Sequence, residues 1–93
     1  MTVMVDELRV WPTKIACFKA GAAHLTADTL DELHDFAARL GLQRRWFQSA
    51  TIPHYDLTMG RHARALALGA VFVPAREQAI ARIAARKNRD ALT

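Results

Sequence analysis

The reactive side chains of this 93-residue chain sit in short polar runs between apolar stretches. His54-Tyr55-Asp56 is the first of these. Residues two apart on an extended segment face the same side. His54 and Asp56 would therefore project together, with Tyr55 opposite. An imidazole beside a carboxylate can pass a proton near neutral pH or hold a cation. The same spacing also serves a hydrogen bond that only fixes a turn. His24-Leu25-Thr26-Ala27-Asp28 offers a second imidazole and a second carboxylate. Extended, it holds them roughly 13 Å apart, so they need not touch, and Asp28 can equally steady a helix N-terminus.

A third run, Arg44-Arg45-Trp46-Phe47-Gln48, sets two guanidinium groups beside two aromatic rings. Arginine grips phosphate through paired hydrogen bonds and stacks on aromatic faces. An exposed indole can stack on a base. The plainer reading seats the rings at a core edge and leaves the arginines in solvent; one ring is expected inside and the other on a surface. The catalytic candidates are His24, His54 and Asp56. The ligand-binding candidates are Asp6, Asp28, Arg44, Arg45, Trp46, Gln48, Tyr55 and Arg61. Together they are expected to line one hollow.

Other chemistries lack their patterns. The four histidines show no HxxxH spacing and no CxxC accompanies them, so no metal set is assigned. No cofactor motif is evident, and a divalent cation enters only as one option for the carboxylates. There is no GxGxxG, GxxxxGK[ST] or GxSxG, and the single serine, Ser49, has no nucleophile motif around it. Cys17 is the only cysteine, which fits a reducing compartment and a small core residue. His34 reads as a helix-surface or half-buried residue, and His62 as exposed.

These residues need elements to position them. Thr2–Val5 alternates into a short strand. Trp11-Pro12-Thr13 breaks the chain, and 15–18 could form a second strand. Residues 24–27 read as a brief strand or an extended lead-in. Thr29 followed by Glu32 forms a capping box, and Leu30, Leu33, Phe36, Ala37 and Leu40 recur at helical spacing up to Gly41. A helix is expected over 30–40. A short strand is expected around Trp46-Phe47, a loop over 49–53, and an extended segment at 55–57. Thr58 caps a second helix over 59–68, ended by Gly69. A buried strand follows at 70–73 and Pro74 breaks it. A third helix runs to about Arg86, with Ala79, Ile80, Ile83 and Ala84 as its inner stripe. Arg82, Arg86 and Arg89 would form a solvated face. The fold class is α/β or α+β: a small mixed sheet of about four short strands with three helices and at least one parallel crossover. A crossover is favoured between strands at 46–48 and 70–73. Ligands in open sheets of this type sit beyond the carboxyl ends of the strands, near Asp6, Gln48 and Pro74.

Length and composition match one domain over 1–93, with a core over about 2–86 and a frayed tail at 87–93. So short a chain buries about 60–65% of its unfolded surface, which makes a homodimer attractive. The formal charge is +4, acidic in the first half and basic in the second, and permits contact with phosphates. No apolar run approaches a membrane span and no signal-peptide pattern opens the chain; a cytoplasmic location without membrane contact is expected.

The order HxxAD at 24–28, ELH at 32–34, RxWFQ at 44–48, HYD at 54–56 and GA at 69–70 resembles a small family found in bacteria and phages, domain of unknown function 4031. The resemblance covers residues 2–73. Two departures are visible: Asp6-Glu7 stands for a pair of aspartates and Arg61-His62 for Lys-Arg. The resemblance implies no activity, but it picks out the same polar positions. The leading functional reading is a domain that binds a phosphate-containing ligand or nucleic acid through an Arg/Trp/His/Asp site. One alternative is a non-enzymatic interaction module whose polar residues lie flat beside Trp11. The other is a small hydrolase or nuclease-like enzyme, in which His24 or His54 is acid or base and Asp6, Asp28 or Asp56 orients it or holds a divalent cation. Convergence of both histidines on a carboxylate would favour the enzyme.

Overall fold

The structure is a computed structural model and describes residues 2–10 and 21–92, with side chains to residue 88. The expected break at Trp11, the strand at 15–18 and Cys17 lie outside the described residues. The elements run β1 (Val3–Val5), β2 (Ala22–Ala27), α1 (Leu30–Arg39), β3 (Tyr55–Thr58), α2 (Met59–Ala67), β4 (Val71–Phe72) and α3 (Ala75–Leu92). The strands form one mixed sheet in the order β3-β2-β1-β4. β2 is antiparallel to both β1 and β3, whereas β4 is parallel to β1. This is the α/β class expected from the alternation of elements.

The two faces of the sheet differ. Val5, Ala23, Leu25, Tyr55 and Leu57 point to one side, where Leu33, Phe36 and Ala37 of α1 and Ala65 of α2 close over them in one buried cluster. The intervening residues point the other way, as the period of two requires. On that side lie Asp6, His24, Thr26 and Asp56, and α3 approaches them through Gln78.

Local chemistry sets both helix ends. Thr29 caps α1 by accepting from the Glu32 amide at 3.2 Å, and Thr58 caps α2 by accepting from the Arg61 amide at 3.2 Å. Gly41 (φ +77°) and Gly69 (φ +107°) adopt the left-handed turn that L-residues resist. Each closes a Schellman motif: the Leu42 amide donates to the Ala37 carbonyl and the Ala70 amide to the Ala65 carbonyl, both at 3.0 Å.

Five expectations are corrected. Residues 44–46 form a turn of 3-10 helix, not a strand. The Arg-Arg-Trp run has no apolar alternation to lay on a sheet, and only Phe47 packs inward. No crossover therefore links 46–48 to 70–73; β4 takes β1 as its parallel partner. β4 is not buried: Val71 and Phe72 are each 49% exposed at a sheet edge. α3 continues past Arg86 to Leu92, since no Gly or Pro interrupts it. Its apolar stripe does not face inward either. Ile80 and Ile83 are more than half exposed, and the helix meets the sheet through buried Gln78. No helix among the described residues is long and apolar enough to cross a membrane.

Candidate metal centre

The register places His24 in the middle of a row of three, with Asp56 opposite on β3 and Asp6 on the other side, one residue past the end of β1. Both carboxylate oxygens of Asp6 are taken by His24. The His24 amide donates to Oδ1 at 2.6 Å and Nδ1–H donates to Oδ2 at 2.7 Å. Asp6 is only 4% exposed, and a carboxylate is tolerated there because it is paired. Burial pushes its carboxyl up, but the hydrogen bonds and charge of His24, helped by Arg9, hold it below the ordinary value. The Asp6 hydrogen bond raises the His24 pKa; burial opposes this, and the charges of Asp6 and Asp56 add to the rise.

Because Nδ1 of His24 donates to Asp6, the neutral ring presents a lone pair at Nε2. His54 is set the same way. Its Nδ1 lies 2.8 Å from the carbonyl of Ile52, which only an N–H can satisfy. Asp56 is held on one side, where Gln48 Nε2 donates to Oδ2. Its Oδ1 lies 3.6 Å from His54 Nε2 and 3.9 Å from His24 Nε2, too far for direct hydrogen bonds. The two rings meet edge to face, with centroids 4.9 Å apart. One donor atom from each of the three side chains lies within 4.8 Å of the others.

The supports are local. Gln48 and His54 pair through both backbone groups, at 3.0 and 3.1 Å, and fasten the loop 49–53 at its base. That loop and α3 wall a cleft of about 370 Å³ over His24 and His54, lined also by Thr51, Ile52, Gln78 and Arg82. Glu7 anchors α3 by accepting from the Ala75 amide at 3.3 Å, a negative charge at a helix N-terminus.

The expected single hollow divides. Asp6, His24, Gln48, His54 and Asp56 come together. Tyr55 does not join them: it is buried on the opposite face, where its hydroxyl meets His34 Nδ1 at 2.8 Å and burial raises its pKa. Asp28 sits beyond the far end of β2 and accepts from the Thr2 amide. Arg44 and Arg45 are exposed on the 3-10 turn. Arg61 reaches the Leu40 carbonyl and lies over the Trp46 ring, 5.7 Å from its centroid, beside the helices rather than the cleft. Of the two rings in that run, Phe47 packs on the core and Trp46 is exposed.

Three residues were misread or missed. His62 is not exposed; its Nε2–H donates to the Asp6 carbonyl at 2.8 Å. Gln78 accepts from Thr26 and Arg82, each at 3.1 Å, and donates to the Val73 carbonyl at 2.7 Å. Arg82 is half-buried in the cleft rather than solvated, whereas Arg86 is exposed. The arginine spacing marked a common helix side; nothing in it told which side met the sheet.

No curated protein and no solved structure matches the chain. A family model does match, over residues 3–86, a span that holds every residue of the cluster. The chain therefore belongs to the family described as Protein of unknown function (DUF4031).

Proposed function

We propose that the protein binds one divalent transition-metal ion through His24 Nε2, His54 Nε2 and Asp56 Oδ1, and that this centre catalyses hydrolysis. One observation carries the reading. Each of the three side chains has its second polar atom held by the protein, by Asp6, the Ile52 carbonyl and Gln48, while its first is left facing the other two. Metal-binding histidines characteristically give their other nitrogen to a carboxylate or carbonyl in this way. Ligand atoms about 2.1 Å from one ion lie at most about 4.2 Å apart. The 3.6 and 3.9 Å separations to Asp56 already meet that limit; the two ring nitrogens, within 4.8 Å of each other, would close by up to about 0.6 Å on binding.

Three protein ligands, two of them lining an open cleft, leave coordination positions free. That is the pattern of catalytic sites; structural sites are closed by four ligands. The ion would supply a water activated near neutral pH. The His24 side chain is 44% exposed, so the cleft is wet, which suits water as nucleophile better than an oxidant that must be shielded from it.

The test is calorimetric titration with Zn²⁺ and Mn²⁺. One saturable site is expected, lost in His24→Ala, His54→Ala and Asp56→Ala. Asp6→Asn should weaken it about 10- to 100-fold, since it removes a supporting carboxylate. A wild-type protein that takes up neither ion overturns the reading.

The nucleic-acid reading has its own support in the Arg61 guanidinium stacked over the exposed Trp46 ring, with Arg44 and Arg45 beside it. Binding of a single-stranded oligonucleotide there should weaken steeply with salt and drop in Trp46→Ala. Absence of binding at low salt removes that reading.

A further inference from the structure

We propose that Arg82 is the anion anchor of the cleft and that the substrate is a phosphodiester; this rests on the metal reading above. Arg82 lines the same cleft as His24 and His54. No carboxylate among the described residues lies within ion-pair distance of it. Among the described residues its one side-chain bond is to Gln78 Oε1. Gln78 is itself buried and fixed by Thr26 and the Val73 carbonyl. The guanidinium is thus held at one nitrogen while its other donors stay free for a planar or tetrahedral oxyanion.

Charge selects among oxyanions. With a divalent ion bound, the carboxylates of Asp6 and Asp56 cancel its charge, and Arg82 leaves the cleft about one unit positive. A phosphodiester carries one negative charge and matches it; a phosphomonoester carries nearly two. The groove also continues. A second hollow of about 650 Å³ runs along α3 past Thr51 and Ile52 to Arg86. Arg82 and Arg86 lie one turn apart, about 6 Å along the helix axis, and would meet successive phosphates of a strand. In the reaction, the oxygen of water bonds to phosphorus and the bond to one ester oxygen breaks. That oxygen leaves as an alcohol with a proton from solvent, while the water's lost proton returns to solvent.

The experiment measures hydrolysis of bis(p-nitrophenyl) phosphate, a single-stranded oligonucleotide and the uncharged p-nitrophenyl acetate by Zn²⁺- or Mn²⁺-loaded protein. Arg82→Gln should lower kcat/KM for diesters about 10- to 100-fold, the loss of a charged hydrogen bond. Metal binding should persist, and hydrolysis of the uncharged acetate should fall less than that of the diesters. Arg64→Gln, on the exposed side of α2, controls for net charge and should lose nothing. Cleavage of the oligonucleotide identifies a nucleic-acid strand as the source of the diester; cleavage of the small diester alone identifies a small molecule, and either supports the proposal. Metal-loaded protein that cleaves neither diester overturns it and leaves the metal reading standing, as does an Arg82→Gln variant no weaker than Arg64→Gln. Failure to bind metal overturns the earlier reading instead.

Discussion

The two faces of one sheet are built from the same strands and do opposite work. On β3, Tyr55 and Leu57 are sealed beneath α1 and α2, while Asp56 between them points to the other face, beside His24. One step along the chain separates a residue that stabilises the fold by leaving water from one that costs stability unless paired. The apolar face accounts for folding, and the polar face must be held by it. The contrast implies that substitutions on one face act on stability, and those on the other on ligand binding.

The sharpest attempt to break that contrast is Leu57→Ala. It removes a fully buried side chain from the sheet centre and should cost about 2–5 kcal/mol in denaturant unfolding. His54→Ala in metal-free protein should cost far less. Equal losses would mean that the polar face is part of the folding core. Next comes metal. Zn²⁺ at a hundred times its Kd should stabilise the wild type by about 2.7 kcal/mol, and thermal melts of His54→Ala or Asp56→Ala should show no such gain. Gly41→Ala tests a feature outside both faces. Its Cβ would meet nothing within 4 Å, but the backbone stays at φ +77°, so the cost should be backbone strain of about 1–2 kcal/mol with metal binding intact. Thr58→Ala removes the α2 cap and should cost about 1 kcal/mol.

The smallest expected effect is the pH dependence of the metal-free protein. The His24 pKa is raised in the fold, so its contribution is full below the ordinary value of 6.5 and fades as pH rises through the folded one. The Asp6 pKa is lowered, so its contribution is full above 3.8 and fades as pH falls through the folded one. Stability from the pair should therefore be greatest between those values, modestly, because His24 is partly solvated. Saturating Zn²⁺ should reverse the slope above pH 6, since the ion requires neutral imidazoles. Denaturation midpoints across pH, with and without Zn²⁺, decide this.

What the sequence disclosed was local. The capping pair Thr29 and Glu32, the glycine stops and the common side of His54 and Asp56 all follow from spacings of a few residues, and each is observed. The pairing of His24 with Asp6 was hidden because it depends on the β1–β2 register across 18 positions. Arg82 and Gln78 were hidden for a related reason: helical periodicity groups residues on a side without saying what that side meets. Apolar character misled at Val71, Phe72, Ile80 and Ile83, since it signals a preference for burial and does not supply a cover. The family resemblance gathered Tyr55, Arg61 and the cleft residues into one pattern. It carried no information that the sheet and its helices keep them apart.

The backbone clasp between Gln48 and His54 also makes the 49–53 segment an exchangeable module. Its two ends are pinned to each other and to Asp56, and the Ile52 carbonyl is the only point at which its interior grips a proposed ligand. Ser49, Ala50 and the side chain of Thr51 can therefore be varied to reshape the entrance while the chelating geometry beneath stays as it is. A library confined to those three positions would be the economical way to retune which molecules this scaffold admits.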